Sequence, residues 1–179
     1  IWICVNKLKN VKIQIDGSSV IIKEGDLFEE EGYKAIGFNE YFDTQVDNRI
    51  ISEHSLNGIF INTICANKTK ELDKYITEQC DDDDIIEKGV NRKNGGKAIK
   101  YKLSTIIVYK EYLLTAFSKF DDKNRAYLTM PEYVEFLINF WDRVNRIYAQ
   151  KSVSVPIFGS GITRICLLYT SDAPTTSRV

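Results

Sequence analysis

Val155-Pro156-Ile157-Phe158-Gly159-Ser160-Gly161-Ile162 is the stretch on which the fold turns. Two glycines bracket a small hydroxyl residue, so the backbone can approach an anion closely and aim its amides at it. A diphosphate fits such a nest, and the continuation Ile162-Thr163-Arg164 can open a helix whose amino end favours phosphate. By composition alone a plain turn fits as well, and no Gly-Lys-Ser/Thr follows to make a P-loop. Position adds weight. Ser152-Val153-Ser154-Val155 reads as a short strand that delivers the chain into the loop, and a long helix delivers the chain to that strand.

That helix is announced by Thr129-Met130-Pro131-Glu132. Thr129 can cap its amino end, Glu132 can close a capping box, and proline is tolerated in the first turn because its missing amide would have had no partner there. Tyr133, Phe136, Leu137, Phe140, Trp141, Val144, Ile147 and Tyr148 then recur at three- and four-residue spacing, a wide stripe expected to pack on a sheet. Working back, residues 105–109 and 112–118 read as strands, and residues 69–80 as a helix with Leu72, Tyr75 and Ile76 on its apolar face. Residues 55–65 fit both periods imperfectly and are taken as helix. Lys34-Ala35-Ile36-Gly37-Phe38 suits a central strand, emptying into a polar stretch at residues 39–48. Val11-Lys12-Ile13-Gln14-Ile15-Asp16 alternates as a half-buried strand does, and Gly17-Ser18-Ser19 turns it toward Val20-Ile21-Ile22. Helices between strands, with loops at strand ends, imply an α/β sandwich with a mixed sheet.

The 179 residues, 44% of them hydrophobic, suffice for one well-filled core. With 24 basic against 25 acidic side chains there is no overall positive field to capture nucleic acid or an anionic membrane. Cys4, Cys65, Cys80 and Cys166 form no CxxC pair, and His54 alone cannot complete a zinc set, so the thiols read as reduced and cytosolic and no metal site is expected. The run Asp81-Asp82-Asp83-Asp84 lacks the ligand alternation and glycine of a calcium loop and reads as solvated. Asn94-Gly95-Gly96 reads as a hairpin turn, lacking the helix start that a phosphate cradle would need. Residues 1–10 fit either a first strand or the remnant of a juxtamembrane segment, with Ile1-Trp2-Ile3-Cys4-Val5 followed by Lys7 and Lys9. Residues 11–166 form the expected domain. Residues 167–179 resemble translated read-through of a sequencing adaptor and are expected to be non-native, which would leave the sheet truncated at its carboxyl end.

Two further pieces carry chemistry. Gly25-Asp26-Leu27 puts a carboxylate at a strand end, where it can accept a hydrogen bond from an exocyclic amine such as that of adenine. Asn39-Glu40-Tyr41-Phe42-Asp43-Thr44 mixes amide, carboxylate, hydroxyl and aromatic groups as a ribose-contacting loop would, although a polar turn over two buried rings has the same composition.

In this order, the three pieces resemble the macro domain family, in which a Gly-Asp acid precedes an Asn-bearing loop and a Pro-x-x-Gly-Ser/Thr-Gly-Ile loop comes late. Gly25-Asp26-Leu27-Phe28, Phe38-Asn39-Glu40-Tyr41-Phe42-Asp43-Thr44, Ile51-Ser52-Glu53-His54-Ser55-Leu56-Asn57-Gly58 and residues 155–164 look like the macro domain of Thoeris anti-phage effectors of the ThsA type. The resemblance spans residues 11–165. It implies a three-layer α/β/α sandwich with a mixed central sheet. It also implies a cytoplasmic receptor, tethered to the inner membrane by an amino-terminal region, that senses an ADP-ribose-derived messenger made by a TIR-domain partner. Binding rather than turnover is implied, with no catalytic residue, cofactor or metal, no nucleic acid, and homo-oligomerisation left open. Carried over by motif, Asp26 would take the adenine amine. The amides of Gly159, Ser160, Gly161 and Ile162 would hold the diphosphate, Asn39, Asp43 and Thr44 would face the distal ribose or its substituent, and Leu27, Pro156 and Phe158 would also belong to the ligand site. The Asn-Ala-Ala-Asn loop of de-ADP-ribosylating macrodomains is replaced by Gln45-Val46-Asp47-Asn48-Arg49. Two alternatives stand beside the sensor: an ADP-ribosyl hydrolase with water activated by Asp43 or Asp47, and an α/β interaction module that binds no nucleotide.

Overall fold

The computed structural model describes residues 10–159. Two strands, β1 (Asn10–Ile15) and β2 (Ser18–Lys23), pair antiparallel as a separate hairpin, turned by Asp16 and Gly17 at φ of +44° and +81°. A short 3-10 turn over Leu27–Glu29 leads to β3 (Tyr33–Asn39). Helices α1 (Leu56–Thr63) and α2 (Thr69–Gln79) follow, then a second antiparallel pair, β4 (Ile85–Lys88) and β5 (Ile99–Tyr101). The chain continues through β6 (Ile106–Tyr109), β7 (Tyr112–Phe120), β8 (Ala126–Tyr127), α3 (Met130–Ile147) and β9 (Val153–Ser154).

The main sheet has the order β6-β7-β3-β9, with β8 paired to β7. It is mixed: β7 and β9 run parallel to β3, whereas β6 is antiparallel to β7. β3 is central because its residues are apolar on both faces, and the alternation of a strand divides them between two cores. Ile36 and Phe38, with Leu114 and Ala116 of β7, pack under Phe60 of α1 and Leu72 and Ile76 of α2. Ala35 with Leu113 and Phe117 faces Phe136, Phe140 and Val144 of α3. Helices on both faces make this a three-layer α/β/α sandwich, as expected. Phe117, Phe136, Phe140 and Phe158 form a ring cluster with contacting centroids 4.9 to 5.6 Å apart. Burying each such ring stabilises the fold by about 1.5–3 kcal/mol.

Register along β3 and β7 is regular until Phe38 pairs with Ala116 and Asn39 with Ser118. Phe117 is therefore the extra residue of a bulge.

Two sequence expectations need correction. Trp141 and Tyr148 do not face the sheet: α3 turns them outward, Trp141 being 47% exposed, because Phe136, Phe140 and Val144 already fill the inner face. The Asp81–Asp84 run is not wholly solvated. It contains a 3-10 turn at Asp82–Asp84, and Asp84 is buried against Arg143 of α3, whose Nη1 donates to Oδ2 at 2.8 Å. The strand β4 had no signal, since Ile85-Ile86-Glu87-Lys88 is too short to show alternation. Thr129 caps α3 and closes the box with Glu132 as read. Cys65 and Cys80 are free thiols. Among the described residues no helix is long and apolar enough to cross a membrane, and no cluster of acidic, His or Cys side chains could hold a metal.

Candidate functional site

In parallel α/β sheets, ligands bind outside the carboxyl ends of the strands, where the loops fan apart. Here β3 ends at Asn39, β7 at Phe120 and β9 at Ser154. Three loops leave from these ends. The first begins at Asn39, whose side-chain oxygen accepts from the amides of Tyr41 at 3.0 Å and Asp43 at 3.3 Å, curling the chain back on itself. Phe42 completes the turn in the left-handed region at φ +48°. Its ring lies 5.7 Å from Phe38 and 5.3 Å from Tyr101, which anchors the loop in the core.

The polar side chains of this loop turn inward. Asp43 is 1% exposed, and its carboxylate accepts from Arg92 Nη1 at 2.9 and 2.7 Å, from the Lys97 amide at 2.7 Å and from Asn39 Nδ2 at 3.0 Å. Thr44 donates its hydroxyl to Asp73 Oδ1 on α2 at 2.6 Å. The same oxygen takes the Lys97 ammonium at 2.6 Å, and that ammonium also donates to the Phe42 carbonyl. Burial pulls the Lys97 pKa down, and Asp73 opposes the shift. Beside them Glu40 is only 2% exposed, between the Phe120 amide at 3.3 Å and Lys100 at 3.4 Å, and burial raises its pKa above the ordinary carboxylate value. Farther along the loop, Asp47 accepts from the amides of Ile50 and Arg49, and the Ile50 bond above all holds its pKa down.

Sequence reasoning missed Arg92, Lys97, Asp73 and Asn124. Arg92 is the hub. Its side chain is 9% exposed, its Nη2 donates to Asn124 Oδ1 at 2.8 Å, and its guanidinium stacks 4.1 Å above the Tyr41 ring. Gly96 sits at φ +106°, and a Cβ added there would meet Arg92 Nη1 at 2.1 Å. The Gly95-Gly96 pair is the available signal: beyond its turn chemistry, the second glycine makes room for a guanidinium.

Of the residues singled out in sequence, Asn39, Asp43 and Thr44 stand together at the carboxyl end of β3. Phe158 is buried at the same end, its ring against Phe117 beside Gly37, and Tyr133 donates its hydroxyl to the Phe158 carbonyl at 3.1 Å. Pro156 is half-buried, and Gly159 takes φ +86°, a backbone state suited to glycine. Ser160, Gly161 and Ile162 lie outside the described residues. Asp26 is exposed and accepts from the Phe28 amide at 2.9 Å, capping the 3-10 turn. Leu27 and Phe28 pack on the core beneath α1, with the Phe28 ring 6.3 Å from Tyr112, the first residue of β7. The Asp26 turn therefore stands toward the Tyr112 end of the sheet, and the Asn39 loop at the other.

A cleft of about 810 Å³ opens elsewhere, between α3 and the β6 edge. The ion pairs Arg143–Asp84 and Lys119–Glu132 line it, so its central charges already have partners.

A mixed sheet covered by helices on both faces, with an Asn-bearing loop and a glycine loop leaving the carboxyl ends of neighbouring parallel strands, is the arrangement of a macro-type α/β domain. The family described as Thoeris protein ThsA, Macro domain, matches residues 20–173, and the chain belongs to that family. Thoeris protein ThsA of Bacillus amyloliquefaciens (strain Y2) is 43% identical over 160 residues, 88% of this chain and 54% of the relative. The chain thus spans about half the length of that curated relative.

Proposed function

We propose that this domain is a sensor that binds an ADP-ribose-derived nucleotide made by a TIR-domain partner and thereby activates a membrane effector in anti-phage defence. The observation that carries the reading is that the run after β9 brings the Phe158 ring beside Gly37 and Phe117, near the end of β3 from which the Asn39 loop leaves. A diphosphate bound by the glycine loop would extend its distal ribose toward the Asn39 loop.

Electrostatics favour binding over hydrolysis. A general base needs a free lone pair and a pKa near the working pH. Asp43 accepts bonds from Arg92, Lys97 and Asn39 on its two oxygens, and amide donors hold Asp47 below the usual carboxylate range. Neither is poised to take a proton from water.

Calorimetry with ADP-ribose, run beside a turnover assay on ADP-ribosylated protein, tests the proposal. The expected result is saturable binding without turnover, abolished by Gly161→Glu through a like charge at the anion nest. Release of ADP-ribose from the modified protein would favour the hydrolase. No binding by a chain shown to be folded would leave the interaction module.

A further inference from the structure

We infer that Arg92 is the positioning residue of the distal-ribose side of the pocket, holding the loop at Asn39 to Thr44 in a preformed shape; this rests on the nucleotide-sensor reading above. In that loop Asn39, Asp43 and Thr44 spend their side chains on internal partners. What remains to meet a ligand is the contour of the backbone and whatever the loop turns outward. Recognition by contour depends on the loop being rigid before the ligand arrives, since any ordering left to the binding step weakens affinity.

Arg92 supplies that rigidity from three directions. Nη1 grips both Asp43 oxygens and also donates to the Lys97 carbonyl at 3.3 Å. Nη2 reaches Asn124 in the turn that follows β7, and Asn124 Nδ2 donates back to the Asn94 carbonyl at 3.2 Å. The flat face of the guanidinium covers Tyr41, with Phe120 at 5.9 Å. One side chain therefore joins the loop after β3, the turn between β4 and β5, and the turn after β7. A lysine carries the same charge but not the planar fork, and cannot make these contacts together.

A ligand with a distal ribose should feel the loss of this clamp, and one that ends at the diphosphate should not. Calorimetry of the whole chain with ADP-ribose and with ADP, for wild type, Arg92→Gln and Asn124→Ala, reads that difference. Arg92→Gln is expected to weaken ADP-ribose at least tenfold while leaving ADP within twofold. Asn124→Ala, which keeps the Asp43 pair and so decides the matter should Arg92→Gln fail to fold, is expected to weaken ADP-ribose about threefold with ADP unchanged. Equal losses for both ligands, or none for either, would overturn the positioning role while leaving the sensor intact. A folded wild type that binds neither nucleotide would overturn the sensor reading and this inference with it.

Discussion

Replacing Gly96 with alanine should cost far more than the same change one residue earlier. A Cβ at position 96 would lie 2.1 Å from Arg92 Nη1, 2.5 Å from Arg92 Cζ and 2.8 Å from the Asp43 Oδ1 that the guanidinium grips. Atoms of this kind do not approach within about 3 Å, so the guanidinium must retreat by roughly 1 Å or more, which takes its 2.7 Å bond to Asp43 past hydrogen-bonding range. Separating a buried charge pair costs about 3–5 kcal/mol. Asp43 would keep the Lys97 amide and Asn39, so a somewhat smaller cost, about 2–4 kcal/mol, is expected. Gly95 is the internal control. Its φ of +79° also disfavours alanine, but the nearest atom to an added Cβ is Ile50 Cδ1 at 3.9 Å, leaving only backbone strain of about 1–2 kcal/mol. Both variants carry positive-φ strain, at +79° and +106°, so most of their difference reports the displaced guanidinium. Urea unfolding followed by circular dichroism measures it; with a slope of about 2 kcal/mol per molar, Gly96→Ala should unfold about 1–2 M earlier than Gly95→Ala. Midpoints that coincide within error would mean the Arg92 clamp is soft, and that its contacts carry little of the loop's order.

Two pH-dependent effects accompany it. Glu40 has its pKa raised by burial, so the folded chain holds that proton more tightly than the unfolded one, and stability declines as pH rises from about 4.5 through the folded value. Glu40→Gln should flatten the dependence of the urea midpoint above pH 4.5; an unchanged slope would contradict it. Glu132 is the opposite case, its carboxyl held at about 2, first by the Lys119 ammonium and then by the Thr129 amide. Its contribution is present above about 4.5 and lost as pH falls toward 2. For this partly exposed group Glu132→Gln should cost about 1–2 kcal/mol at pH 7, with a gap from wild type that narrows by pH 3. A constant gap across that range would rule the ion pair out as its source.

The elements that were legible in sequence carry local signals. Thr129, Pro131 and Glu132 announce α3 because capping is settled within one turn. Lys34-Ala35-Ile36-Gly37-Phe38 shows β3 because a strand covered on both faces needs few polar positions. The candidate loop was legible as a place and not as a mechanism. Its residues Asn39 and Asp43 were found, but the partner that fixes them, Arg92, lies 49 residues from Asp43, and nothing local marks an arginine for burial. Trp141 and Tyr148 show the same limit: helical spacing reports which residues are apolar, and the sheet decides how many of them fit beneath the helix. Asp84 was hidden inside a run of like residues, from which only the position of Arg143 on α3 selects it.

The bulge at Phe117 gives the domain a length rule. Before it, β7 and β3 march in step; after it, β7 is one residue ahead. Removing that residue would restore the march and exchange the faces of everything beyond, because side chains alternate along a strand. Lys119 would leave Glu132, the Phe120 amide would leave Glu40, and the turn carrying Asn124 would be drawn away from Arg92. Substitutions in this strand are therefore a milder evolutionary step than any change in its residue count, and a related chain one residue shorter between Ala116 and Asn124 would have to rebuild the loop after β3 by other means.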